Sequence, residues 1–266
     1  MSGFGFASLI AFILYLNNWL IVVARLRFDL EAGYRRPQLI AYTLIGLIAH
    51  AISIWLAMRQ QDQWVFGFGI ALSLIGWSAA VALWIGMLTK PTEMLGLIIF
   101  PFAGLLALAP LVITDTHPLP VEYGAHIVLA ILAYGLFFLA ATQAILFLIQ
   151  EQRFRSHKLG SLFGALPPLQ LMEKTLYQLL VLGFITLTFA LITGFFFVED
   201  LFAQHLAHKT FFSLLAWLLY GLLLWGHFRR GWRGRKAARL TLWAFVLLML
   251  GYVGSSIVLE FLLPRP

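Results

Sequence analysis

The chain has 266 residues, of which 62% are hydrophobic and only 11% charged, and its mean hydropathy is +0.92. Soluble domains carry about a quarter charged residues, so this composition excludes an ordinary soluble fold and indicates an integral membrane protein with no room for a separate soluble catalytic domain. Cysteine is absent, which rules out disulfides, thiolate metal sites, iron–sulfur ligation and thiol redox chemistry by this chain. The formal charge of +7 is not a nucleic-acid signal, because the basic residues sit in short stretches between apolar runs, where they orient the chain and meet anionic lipid.

Nothing before Arg25 is charged, so the segment from Phe4 onward is expected to be a retained first span, not a cleaved leader. Eight runs have bilayer-crossing length: 4–23, 39–58, 64–83, 94–113, 123–149, 175–198, 210–227 and 240–263. The expected fold is therefore all-α, a polytopic membrane protein of eight transmembrane helices in one domain over 1–266. One set of alternate connections holds Arg25, Arg27, Arg35, Arg36, Lys90, Arg153, Arg155, Lys158, Lys174, Arg229, Arg230, Arg233, Arg235, Lys236 and Arg239. The other set holds only Arg59, Lys209 and Arg265. That asymmetry puts the first set in the cytoplasm and both termini outside.

Within this frame, Pro101 and Pro110 interrupt the fourth span, without a counterpart that would mark an inverted repeat. Between 150 and 174, Leu159, Leu162, Phe163 and Leu166 recur at helical spacing and predict a short surface helix that Pro167 and Pro168 terminate. Trp64, Trp225 and Trp232 fit an interfacial belt. Asn17 and Asn18 fit interhelical hydrogen bonding.

Ionisable residues inside spans are costly and are the first functional suspects. Apart from span ends, the spans contain no Asp, Glu, Lys or Arg, and His50 is the one deep exception. His227 closes the seventh run, and His126 lies about one turn inside the fifth. His208 and His227 are about 28 Å apart if the segment between them is helical, close to the ~30 Å hydrocarbon thickness. Four of the seven histidines, His117, His126, His205 and His208, fall on the outer side.

Neutral imidazole is a good axial ligand for haem iron, and two imidazoles from different helices can hold the macrocycle between them. Two sites can be drawn: an inner one pairing His50 with His227, and an outer one pairing His126 with His208 or His205. The second ring nitrogen needs a partner, for which Ser53, Thr43 or a backbone carbonyl are available. Phe195, Phe196 and Phe197 are candidate walls for a porphyrin. A structural alternative stands beside this for each histidine, since buried histidines also serve as interhelical hydrogen-bonders. His117 reads as a loop residue, His157 as a surface one, and His205 and His208 as members of an exposed loop. Phosphate-loop, HExxH and buried carboxylate-pair chemistries lack their residues.

The stretches GAHIVLAILAYGLF, ALPPLQLMEKTLYQLLVLGFITLTFALITGFFF, AHKTFFSLLAWLLYGLLLWGH, GWRGRKAARL and GYVGSSIV together resemble the cytochrome c assembly family of haem-handling membrane proteins. The similarity is to its short HemX-like or YpjD-like branch, related to CcsA. The resemblance implies haem held by two transmembrane histidines, matched here by His50 and His227, and a first external histidine matched by His126. In place of the family's Trp-rich WxWD segment this chain has FFFVEDLFAQHLAHKTFFSLLAW, and no histidine follows 240–263. The implied role is therefore a reduced one: b-type haem binding with haem transit, haem-level control or assistance to another assembly factor, without turnover. The implied partners are haem, membrane lipids and other cytochrome assembly proteins, with no nucleic acid, at the bacterial inner membrane. A small-solute permease and a non-catalytic membrane scaffold are the rival readings.

Overall fold

The computed structural model describes residues 3–28, 36–60, 63–119, 123–156, 166–197 and 204–254. Its helices are α1 (Gly3–Phe28), α2 (Arg36–Met58), α3 (Phe68–Thr89), α4 (Gly96–Ala107), α5 (Ala109–Val112), α6 (Gly124–Arg155), α7 (Leu169–Phe197), α8 (Gln204–Arg230) and α9 (Gly234–Met249). A 3-10 turn, Glu93–Leu95, leads into α4, and α9 ends in a π turn, Leu250–Gly254. Among the described residues, 7 helical segments are long and apolar enough to cross a membrane, the fourth of them running from Glu93 through α5 to Val112.

The eighth expected span is only partly covered. The α9 helix begins at Gly234, before the apolar run starts at Leu240, and residues 255–263 lie outside the described residues. The expected surface helix also lies outside them, except for Leu166, which is buried.

The chain divides into two compact units, although the sequence shows no boundary. One comprises Met1–Leu119 and Ile149–Met172, the other Pro120–Leu148 and Glu173–Pro266.

In the first unit α1 packs on α2 and α4, and α3 packs on α2, α4 and α5. The α1 helix buries Ser8, Ala11, Tyr15, Asn18 and Val22, spaced by three and four residues, while Phe6, Ile13 and Leu20 are exposed on its lipid side. Two indoles seven residues apart lock α3 onto α2: Trp77 Nε1 donates to the Leu47 carbonyl at 3.0 Å and Trp84 Nε1 to the Ile40 carbonyl at 3.1 Å.

Pro101 sits inside α4 and cannot bond the carbonyl four residues back, which is that of Leu97. Trp19 Nε1 from α1 donates to that carbonyl at 3.1 Å, so the proline's missing hydrogen bond is replaced from a neighbouring helix, as a membrane interior requires. Pro110 starts α5 after the chain turns at Leu108. At the end of the unit that carries the Thr89–Glu93 turn, Arg36 Nη2 donates to the Met87 and Lys90 carbonyls at 2.6 and 2.5 Å. Its Nε lies 2.6 Å from the buried Glu93 carboxylate.

One expectation fails between α2 and α3. The third span was expected from Trp64, but Gln63–Phe66 is a strand (β2) paired antiparallel with Arg59–Gln60 (β1) and His117–Pro118 (β3), and α3 starts only at Phe68. The register sets Arg59 opposite Trp64 and Phe66 opposite His117, so His117 is a strand residue and not a loop one. Trp64, Val65 and Phe66 are apolar enough to extend a hydropathy run. They are also aromatic and β-branched, and such a short run carries no period to separate strand from helix.

In the second unit α6, α7, α8 and α9 form an aromatic core. Phe137 of α6 stacks on Tyr220 of α8 with centroids 3.9 Å apart and rings 7° from parallel, and Phe184 of α7 stacks on Trp217 of α8 at 5.4 Å. Trp217 Nε1 donates to the Thr188 hydroxyl at 2.9 Å. Tyr134 of α6 donates to the Leu248 carbonyl of α9 at 3.3 Å.

Candidate functional site

His50 sits in the core of the first unit, with no exposed surface. Its Nδ1 is 3.3 Å from the Tyr15 hydroxyl of α1 and its Nε2 is 2.9 Å from the Ser73 hydroxyl of α3. The partners expected for it are engaged elsewhere: Ser53 pairs with Ser8, and Thr43 accepts from Asn18 and donates to the Leu39 carbonyl. A neutral imidazole has one donor and one acceptor nitrogen, and here hydroxyl groups satisfy both. His50 as placed thus offers no free lone pair to a metal.

His227 is placed differently. It ends α8, where Gly231, in the left-handed region at φ 65, donates its N–H to the His227 carbonyl and lets the chain turn back. The turn carries the Trp232 carbonyl to 3.1 Å from His227 Nδ1. A carbonyl only accepts, so Nδ1 holds a proton, and in the neutral ring Nε2 is then the bare nitrogen. Tyr177 of α7 covers the imidazole face, with centroids 3.5 Å apart and an interplanar angle of 21°, and donates its hydroxyl to the same Trp232 carbonyl at 2.5 Å.

The turn is fixed on its other sides as well. The Trp232 indole lies where a Cβ on residue 226 would stand, so Gly226 is required there. Lys236 Nζ sits 3.4 Å from the centre of that indole. The Gly234 N–H, which opens α9, donates to Glu173 Oε1 at 2.9 Å, a carboxylate cap on a helix N-terminus supplied from α7.

His126, in the first turn of α6, repeats the same chemistry. Its Nδ1 is 2.8 Å from the Ala190 carbonyl of α7, so Nδ1 is again the donor and Nε2 the bare nitrogen. Gly194, one turn further along α7, leaves space for the ring: a Cβ there would lie 2.9 Å from His126 Cε1. Tyr177 and Ala190 are thirteen residues apart on α7, so the two imidazoles meet that helix about 20 Å apart along its axis. The fold therefore does not bring His126 and His227 together.

For the other expected residues, α8 starts at Gln204, so His205 and His208 are on a helix and not in a loop. Their side chains, like those of Phe197 and His157, lie outside the described residues. Phe195 and Phe196 are 69% and 75% exposed. Trp225 is exposed, as a belt residue should be, whereas Trp232 is folded into the α8–α9 turn. Sequence reasoning missed Tyr177, Trp232 and Glu173. The glycines of GWRG were the visible signal for the turn, while Tyr177 carried none.

Residues 39–263 match the family described as Cytochrome C assembly protein. The chain belongs to that family. Among relatives in the Cytochrome C assembly protein family, it is 28% identical to Inner membrane protein YpjD of Escherichia coli K12 over 259 residues, 94% of this chain and 97% of that protein. It is 25% identical to Protein HemX of Brevibacillus brevis over 133 residues, 49% of each chain. It is also 27% identical to Cytochrome c biogenesis protein CcsA of Prochlorococcus marinus MIT 9303 over 84 residues, 31% of this chain and 26% of that one. No solved structure matches the chain.

Proposed function

We propose that this protein binds b-type haem in the bacterial inner membrane by imidazole coordination. It would hand the haem on in cytochrome c assembly or haem transit, without turning over a substrate of its own. The observation that carries this reading is His227: its Nδ1–H is committed to the Trp232 carbonyl and its Nε2 lone pair is uncommitted among the described residues. That is the tautomer a ligating imidazole requires, with the outer-shell acceptor that such ligands almost always have. His126, bonded to the Ala190 carbonyl, satisfies the same condition for an outer site, where His208 is the proposed second ligand.

His50 is the second inner ligand that the family resemblance implies. To serve, its Nε2 has to leave the Ser73 hydroxyl. When bound, haem would supply an iron that accepts imidazole nitrogen, and His227, with His50 once it has left Ser73, would hold it. The chain's own residues hold imidazole planes and protons in place, and apolar side chains exclude water.

Family membership and the near full-length relative named as an inner membrane protein support the location. The lysine and arginine asymmetry supports eight spans with both termini outside. Other assembly proteins are the proposed partners, docking on the basic inner face.

The test is titration of detergent-purified protein with hemin. The reading expects a Soret shift that saturates at a defined stoichiometry, loses its inner-site part in His227→Ala and loses its outer-site part in His126→Ala. Loss in a His50→Ala variant that is still folded assigns His50 to iron. Retention there assigns it to the core, which its two hydroxyl partners already favour. Identical titrations of wild type and His227→Ala would refute the reading and leave the scaffold alternative.

A further inference from the structure

We infer that Tyr177 tunes His227: its hydroxyl competes with the imidazole for one carbonyl oxygen while its ring fixes the imidazole plane. What the tuning serves rests on the haem reading; the tuning itself is a property of the α8–α9 turn.

The Trp232 carbonyl receives two donors, the Tyr177 hydroxyl at 2.5 Å and His227 Nδ1 at 3.1 Å. An oxygen that gives density to a short hydroxyl bond has less to give to the second donor. The bond from Nδ1 is correspondingly weak, and the proton stays firmly on that nitrogen. A ligating imidazole becomes more basic as its Nδ1–H bond strengthens, so Tyr177 holds Nε2 as an oriented but moderate donor.

The geometry leaves little freedom for another arrangement. The Tyr177 ring lies 3.5 Å over the imidazole, which blocks the ring flip that would turn Nδ1 away from the Trp232 carbonyl. The contested carbonyl is itself held by the bond from Trp232 N to the Gly226 carbonyl at 3.1 Å and by the Glu173 cap on Gly234. Glu173 and Tyr177 are four residues apart, so one face of α7 fixes both the turn and the imidazole. A ligand set this way suits a protein that binds a cofactor and then releases it.

The experiment uses the full chain in nanodiscs, without haem, with histidine-selective 15N labelling. His227 is identified by the resonance that disappears in His227→Gln. The wild type is expected to show a protonated Nδ1 and a bare Nε2. Tyr177→Phe keeps the stacked ring and removes the competitor, so the Nδ1–H proton resonance moves downfield. Uniform 3-fluorotyrosine, whose more acidic phenol takes more of the carbonyl, moves it upfield, and this arm stands even if Tyr177→Phe does not fold. In haem-loaded protein, Tyr177→Phe lowers the iron midpoint potential and slows transfer of haem to a soluble apo-globin several-fold. A protonated Nε2 in the wild type, or a Nδ1–H resonance unmoved by either change at Tyr177, overturns the inference. If the expected shifts appear but the wild type takes up no haem, the tuning stands and the haem reading falls.

Discussion

The three histidines singled out by the sequence differ in what their nitrogens can do. His126 and His227 each donate one N–H to a main-chain carbonyl and leave the other nitrogen without a partner among the described residues, whereas His50 spends both on hydroxyl groups. His50→Ala would leave the Tyr15 and Ser73 hydroxyls unpaired beside a new cavity. It is expected to cost about 2–5 kcal/mol of stability from the combined loss of packing and hydrogen bonding. Thermal unfolding in detergent measures this, and an unchanged transition would contradict the placement of His50 at the centre of the first unit's polar contacts. That His50 stands alone as a polar ring deep in an apolar run was readable from the sequence. Which nitrogen was free was not, because it depends on partners from helices distant in sequence, such as Tyr15 and Ala190.

At the level of elements, several helices depend on hydrogen bonds supplied by their neighbours. Trp19 satisfies the Leu97 carbonyl that Pro101 sets free, so Trp19→Phe is expected to destabilise the first unit by about 1–3 kcal/mol, the range for a buried acceptor left unpaired. In a Pro101→Ala background the helix can bond that carbonyl itself, and the cost of Trp19→Phe should largely vanish. Equal costs in both backgrounds would contradict the pairing. Arg36 and Glu93 behave likewise: Arg36→Ala strands a carboxylate that is 3% exposed and is expected to cost about 3–5 kcal/mol. Arg36→Leu combined with Glu93→Leu should recover much of that in a denaturant or thermal assay. Seven spans were legible because hydropathy and length are local properties of the chain. The strand at Gln63–Phe66 was not, because its pairing with His117–Pro118 is a contact across more than fifty residues, and the early start of α9 depends on a cap from Glu173.

For the whole molecule, the charge asymmetry makes a statement about sidedness. The chain has no cysteine, so single substitutions report cleanly. In intact spheroplasts a membrane-impermeant thiol reagent is expected to label His117→Cys, in the exposed β3 strand, and to leave Ser156→Cys, at the exposed end of α6, unlabelled until the cells are lysed. The reverse pattern would invert the topology and move the His227 turn to the outer face. Family membership was legible in the motifs around His126 and His227. The division into two units, each with its own arrangement of histidine partners, was not, since no change in composition marks it.

The proposal that the Nε2 of His227 binds haem iron is tested by the absorption spectra of wild-type and His227→Ala protein purified side by side from haem-replete cells. A Soret band in the wild type that is clearly weaker in the folded variant is the expected result. A colourless wild type, or the same band in both, would contradict it.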